Sequence, residues 1–530
     1  MFKTYKSLSI TFLCYIILTV IALVLNNYTL IALLFWGLFI ILFMLCSKNS
    51  ILQTTSIEKL KTKDFITIFI VFVLLSILLI APMGLTPTWN GRQPAHRDQY
   101  ERLADSIMNG HLYIEYDDYD VRLEQMENPY DYRARIDEQI PFHWDHAFYN
   151  GHYYMYFGVV PVFLLFIPFK LIFGKTLVTF HATQFFVFLS IIAFFILFYK
   201  LARRFFPKIS LGTYLFSVSA VLAATIGYCT QAPALYCTAI SGGFCLMLWS
   251  ILFYFHAVYD AKKEVSQVIF ATLGALCGAL AFGCRPPVAL ANIVAIPLAI
   301  VYAKNYKGKV INLIRNFAII ALPYVIVAVL LMLYNYARFE NPFEFGQSYQ
   351  LTSSDQTIYL SFFDQFNLPA QINLGFKNFF ELGEITAEFP YVNYGGFLVT
   401  YPLMWLMIPF VAQDNVRKSI KNDGTDLFVA SLFITTLLTT FAAIQFSPGI
   451  AERYRLDSYY ILGIATFIVM GYRLKTKDYS PKVARFIQIM CVLTIFLTFL
   501  QFLRPLDGNY TAYYPEKLEF IKDVLFFKSL

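Results

Sequence analysis

The feature that most constrains this chain is its repetition of apolar runs. Thirteen stretches of roughly twenty residues lie near 8–25, 28–46, 65–85, 177–199, 210–228, 234–257, 267–283, 287–303, 311–333, 395–412, 426–446, 459–472 and 484–503, built largely from Phe, Leu, Ile and Val. A run of that length crosses about 30 Å of hydrocarbon as a helix, which satisfies its own backbone hydrogen bonds where no water can. With 58% hydrophobic and 14% charged residues, the chain is far from the make-up of a soluble globular protein. The reading is an all-α polytopic membrane helix bundle of about thirteen spans.

Cations order the spans. Clusters at Lys3 and Lys6, at Lys48 to Lys63, at Lys200 to Lys208, at Lys262 and Lys263, at Lys304 to Lys309, at Arg417 to Lys421 and at Arg473 to Arg485 all fall between apolar runs. Cytoplasmic connections collect Lys and Arg, so the N-terminus is predicted inside a multi-pass protein of the cell membrane. The apolar stretch 154–174 breaks this order if it crosses, and it carries Gly158, Pro161 and Pro168. It is therefore read as a re-entrant segment held against protein. The resulting division is three spans in 1–85, an external loop with the re-entrant segment in 86–175, the remaining bundle in 176–503 with a second external loop at 334–394, and an external tail at 504–530. Met1 to Lys6 lead into an apolar run as a signal peptide would, but no small-residue cleavage site follows, so the first helix is read as retained. The net charge of +7 sits in these short clusters, which argues against nucleic acid as a partner. The eight Cys lie in or beside apolar runs without a CxxC and read as packing residues. Charged residues are nearly absent from the middle of the spans, which argues against an ion-coupled pump.

Function is expected in the polar island from 89 to 154, dense in Asp, Arg, His, Tyr and Trp. Within it Tyr100, Leu103, Ala104 and Ile107 follow the i, i+3, i+4, i+7 spacing of an amphipathic helix on the membrane surface. Asp98, Glu101, Arg102 and Asp105 take the other face, toward water, with Pro94 at the entry and Asn109-Gly110 at the exit. Asp98 stands at the helix start, where an anion gains from the dipole, and beside Arg97. His143, Asp145 and His146 suggest a metal cluster, but their spacing fits no metal motif; no metal site is assigned, and a divalent cation is left open. Trp144, Tyr149, Tyr153, Tyr154 and Tyr156 read as an aromatic belt or a wall for stacking sugar.

Other external segments add cations. Arg285 stands at a span end interrupted by Pro286 and Pro287, Arg338 just after a span, and Arg453, Arg455 and Asp457 just before one. Guanidinium groups converging on one face suit a phosphate, to which they donate in bidentate fashion; salt bridges with nearby acids are the competing use.

Taken together, DQYERLADSIMNGHLYI, ENPYDYRAR, WDHAFYNGHYYMYFGVVP, the Arg-Pro-Pro, RFENPFEFG and ERYRLD resemble bacterial polytopic membrane glycosyltransferases of the GT-C superfamily. The likeness is to the family-39-like branch related to protein mannosyltransferases and the lipid A aminoarabinose transferase, and it spans most of the chain. It implies a transferase that takes a sugar from a polyprenyl-phosphate donor at the external face and passes it to a glycan, lipid or protein acceptor. In that superfamily the first external loop carries an acid near its start, often one of a pair. Asp98 matches that role as the catalytic residue, but the next residue is Gln99, so Asp105, Asp117 and Asp145 stay as alternative bases. Arg97, Asp145, His146, Tyr153, Arg285, Arg338, Arg453, Arg455 and Asp457 are the substrate-binding candidates.

The chemistry also follows from residue types. A lipid-phosphate sugar needs an anion site for its leaving phosphate, a carboxylate to take the acceptor proton, and aromatic surface for the sugar. No GxxxxGK[ST] loop occurs, so no soluble nucleotide site is expected. Two rivals remain: a flippase or exporter of lipid-linked saccharide, which needs the Arg groups and a polar inner cavity but no positioned carboxylate, and a polysaccharide polymerase or ligase resting on Arg and His.

Overall fold

Apolar runs become helices at nearly every place the pattern puts them. The computed structural model describes residues 2–25, 27–85, 98–233, 235–353, 355, 367–382, 392–445, 452–504 and 515–525. Among these residues 11 helices are long and apolar enough to cross a membrane: Tyr5–Val24, Tyr28–Leu45, Thr62–Met83, Thr179–Phe205, Leu211–Gln231, Leu235–Tyr259, Glu264–Phe282, Pro286–Asn305, Val310–Phe339, Asp426–Ile444 and Pro481–Phe502. The architecture is an all-α polytopic membrane bundle.

Two of the thirteen expected spans come out differently. The run 395–412 is broken into Phe397–Thr400, Pro402–Trp405 and Met407–Val411, where Pro402 and Pro409 offer no amide hydrogen to the helix ladder. The run 459–472 is a continuous helix, Leu456–Lys475, but one that carries Ser, Thr, Tyr and terminal charges. Its position explains the composition: it is buried along nearly its whole length and touches protein rather than lipid. Helices Leu211–Gln231 and Leu235–Tyr259 are buried in the same way, whereas Val310–Phe339 exposes most of its apolar side chains. Rings interlock at the centre, as where Phe198 stacks on Phe467 with centroids 4.1 Å apart.

Alternating helices define two ends. At one, Lys200 pairs with Asp260, Lys475 Nζ lies 2.6 Å from Asp423, Leu211 N–H donates to Thr55, and Gln53 and Gln488 exchange amide hydrogen bonds of 2.7 and 2.8 Å. The cationic connections between helices gather there. At the other end sits a polar lobe, residues 98–160.

The lobe is built from helix Gln99–Met108, short helices Arg122–Gln125 and Tyr132–Asp137, and a hairpin pairing Ala147–Tyr149 with His152–Tyr154. Asn150 and Gly151 turn the hairpin at φ 49° and 75°, the left-handed pair that suits the twist of a two-residue turn. Residues of the second polar segment extend it: Phe148 N–H donates to Tyr349 O at 2.8 Å and Leu351 N–H to His146 O at 2.8 Å. Beneath lie Val162–Phe166, wound as a π-turn, and helix Ile167–Phe173, which ends on Gly174 at φ 63°. This apolar piece is about 18 Å long, short of the roughly 30 Å that a crossing needs. It is fastened to the lobe, since Phe166 stacks on Tyr100 and Lys170 pairs with Asp105.

Candidate active site

The lobe meets the bundle where helix ends converge. Arg285 precedes two prolines, a context that disfavours helical backbone, and it is extended at φ −159°, ψ 105°. Its side chain reaches the start of helix Leu456–Lys475. Nε donates to both oxygens of Asp457, at 2.7 and 2.8 Å, and the Asp457 side chain is 0% exposed. Asp457 sits in the first turn of Leu456–Lys475, where the helix end favours an anion. Among the described residues the two Nη groups of Arg285 make no hydrogen bond, while its guanidinium lies 5.0 Å from the Tyr454 ring centroid.

Beside it, Arg453 rests on Tyr236 at 4.2 Å and on Tyr454 at 5.2 Å. Among the described residues it has neither an ion pair nor a hydrogen bond, and its Nε is buried. A partly buried cation held by ring faces keeps donors free for an anion. Tyr156 lies within electrostatic reach of Arg453, Tyr454, Tyr236 and Asp145, which places these groups in one neighbourhood.

Gly158 makes that neighbourhood possible. A Cβ there would lie 2.3 Å from the carbonyl oxygens of both Gly283 and Cys284, and Val160 N–H donates to Gly283 O at 3.0 Å. The segment leaving the lobe thus presses directly on the turn that carries Arg285.

Asp98 stands just before helix Gln99–Met108, but it does not cap it. Its Oδ2 accepts from Arg102 Nε at 2.8 Å, one turn on, and Arg102 in turn covers the Tyr116 ring at 4.7 Å. Oδ1 is buried without a partner among the described residues. One oxygen is fixed by Arg102, and the other has accepting capacity that no described residue uses. Burial raises the Asp98 carboxyl above its ordinary value, and Arg102 limits the rise. The neighbour expected from sequence, Arg97, lies outside the described residues, as do Pro94 and Trp89.

Glu101 departs from expectation. Instead of facing water it is buried, accepting from Thr179 N–H at 2.6 Å and Thr179 Oγ1 at 2.5 Å. The reason is local: Val178, at the cap position of helix Thr179–Phe205, supplies no side-chain acceptor, and the lobe carboxylate takes that place. Burial pushes the Glu101 carboxyl up to about 7, against the Thr179 hydrogen bonds that pull it down. Because this lies above the ordinary value of 4.5, protonation of Glu101 adds stability that is complete below about 4.5 and lost as pH rises through about 7. The expected result is that wild-type melting temperature in detergent gains on that of Glu101→Gln as pH falls from about 8 to about 5. Parallel profiles for the two proteins across that range contradict the assignment.

Other sequence candidates hold the lobe together. Asp145, at φ 56°, accepts from Tyr236 Oη and from Gln350 Nε2, the latter at 3.0 Å. His146 is buried, with Nε2 2.6 Å from Tyr116 Oη and Nδ1 2.9 Å from Trp144 O. Tyr153 is buried among Tyr116, His143 and Phe148, and Tyr154 packs on Phe339. Most of the anticipated aromatic wall is thus lobe core, and Tyr156 is the member of it beside the arginines.

Arg338 is turned into the protein. It is buried, donating to Met155 O at 2.7 Å and Asn335 Oδ1 at 2.9 Å, and it ties helix Val310–Phe339 to the lobe. Arg455 points away from Arg453, to Tyr394 O at 3.0 Å and Glu381 Oε2 at 3.3 Å. Asp457 is engaged by Arg285 rather than by open space. Among the described residues no three His, Cys, Asp or Glu side chains form a set that could hold a metal ion, and His143 turns to Asp118 at 3.1 Å.

Sequence reasoning missed Tyr236 and Tyr454, which hold Arg453, and the structural Arg135. Arg135 is fully buried, donates to Pro129 O and Thr352 O, and covers the Phe142 ring. The Arg102 partnership had a legible signal, its i+4 spacing from Asp98. Tyr236 had none, because it looks like any aromatic residue at a span end.

No protein-family model and no curated protein matches the chain. Among solved structures, the crystal structure of the oligosaccharyltransferase of Archaeoglobus fulgidus in the apo form is similar at 12% identity, with a TM-score of 0.42. The match covers 86% of this chain and 58% of that one, so this chain spans less than two thirds of that protein's length.

Proposed function

We propose that this chain is a membrane glycosyltransferase that moves a sugar from a polyprenyl-phosphate donor to a cell-envelope acceptor. The reaction takes place at the membrane face bearing the lobe, and the cation-rich end faces the cytoplasm. The observation that carries this reading is Arg453, a guanidinium packed between tyrosine rings without a carboxylate or hydrogen-bond partner among the described residues, beside the unengaged Nη groups of Arg285. Such a pair suits a leaving phosphate.

In this scheme Asp98 Oδ1 takes the proton of the acceptor hydroxyl as that oxygen bonds to the sugar's anomeric carbon. The bond from that carbon to phosphate breaks, and the electron pair leaves with the phosphate oxygen, where Arg453 and Arg285 oppose the new charge. Arg102 holds Asp98 in place, and Tyr156 borders the donor.

The test is reconstitution of the purified chain in lipid with a polyprenyl-phosphate sugar labelled in the sugar. Label joined to acceptor, with equimolar polyprenyl phosphate released, is the expected result. Label crossing the bilayer on intact lipid, with no bond broken, identifies a flippase instead.

A further inference from the structure

The cation-rich end holds a cleft that transfer chemistry does not use. It has a volume of about 410 Å³ and lies between the last turns of helix Tyr28–Leu45 and the first turns of Pro481–Phe502. Its wall is apolar, with Ile40, Phe43 and Met44 at 61%, 38% and 40% exposure, and its mouth is polar, with Ser47, Asn49 and Arg485. The two zones differ in depth. Ile40 lies about 7 Å inside the helix end, in the acyl region of a bilayer, whereas Ser47 and Asn49 lie beyond that end, at headgroup level.

The charge at the mouth is one-sided. Arg485 is the charged residue among those lining the cleft, and the lining residues come from segments 1–57 and 481–503, which contain no Asp or Glu and carry Lys3, Lys6, Lys48 and Lys482 at the same end. Among the described residues the Arg485 guanidinium and the Asn49 amide have no ion pair or hydrogen-bond partner.

We infer that this cleft binds one anionic glycerophospholipid from the leaflet on that side. An acyl chain lies along Ile40 and Phe43, and the phosphate meets Arg485 with Ser47 and Asn49 as donors. A zwitterionic lipid offers the same phosphate but brings an ammonium that this mouth repels. The inference stands apart from the transferase reading, because no residue of the cleft belongs to the candidate active site.

Native mass spectrometry of the full chain in detergent tests it, by titration with phosphatidylglycerol or phosphatidylcholine of identical acyl chains. One phosphatidylglycerol is expected to be retained in preference to phosphatidylcholine. Arg485→Gln should weaken it about fivefold, the size of one cation's attraction to an anionic headgroup. Ile40→Trp, which fills the wall without changing charge, should also release it, whereas Lys61→Gln, at the same end but outside the cleft, should not. Equal retention of the two lipids, an equal loss in Lys61→Gln and Arg485→Gln, or displacement by millimolar inorganic phosphate overturns the inference.

Discussion

Asp98→Asn should lower sugar transfer by about 10² to 10⁴, the usual worth of a positioned general base, while leaving donor binding close to wild type. The amide keeps the size of the side chain and can still meet Arg102 through its oxygen, so the local geometry survives. What it loses is the ability to take a proton at the position of Oδ1, which is buried and without a partner among the described residues. Transfer and donor affinity are measured on the same purified protein in lipid, alongside Asp105→Asn and Asp145→Asn. Asp105 is engaged by Lys170, and Asp145 by Tyr236 and Gln350, so neither should show the same separation of rate from binding. A near-wild-type rate for Asp98→Asn moves the base elsewhere. The rise that burial imposes on Asp98 also fixes a sign: transfer should fall as pH drops through the raised value, because the protonated acid cannot accept.

Arg285→Ala and Arg453→Ala should diverge, although in sequence the two residues look alike. Removing Arg285 leaves the Asp457 carboxylate, 0% exposed, without its partner, and breaking a buried pair from one side typically costs about 3–5 kcal/mol. Arg285→Ala is therefore expected to reduce melting temperature and folded yield sharply. Arg285→Ala with Asp457→Leu should recover much of the loss, because the stranded charge is gone. Arg453→Ala breaks no ion pair or hydrogen bond among the described residues, so its fold should hold. If both single variants fold equally well, Arg285 and Asp457 are not the coupled pair described here.

The bundle was legible because lipid imposes a long apolar run on every exposed span, and such runs survive any packing arrangement. Legibility failed where protein replaces lipid as the neighbour. Helix Leu456–Lys475 escapes the apolar criterion because it is enclosed, and 395–412 breaks because prolines withdraw amide donors. Within the candidate site, Asp98 was singled out in the sequence by its place at a helix start and by resemblance, Arg285 by the cost of a cation at a span end, and Arg453 by its place just before a span. The partners were not legible. Asp457, Arg338 and Arg455 carry the same residue types as a ligand site, and only the fold assigns them to Arg285, Met155 and Glu381. Glu101 looked like one more solvated acid, since nothing local to it reveals a distant helix start lacking a cap.

The most direct test of the account is a titration of polyprenyl phosphate, without sugar, onto wild-type protein and Arg453→Gln in lipid. Loss of a charge-assisted contact of about 1.5–3 kcal/mol predicts binding weaker by roughly 10- to 100-fold, with an unchanged melting temperature. Equal affinity in the two proteins would contradict the assignment of Arg453 to the leaving phosphate and, with it, the site proposed here.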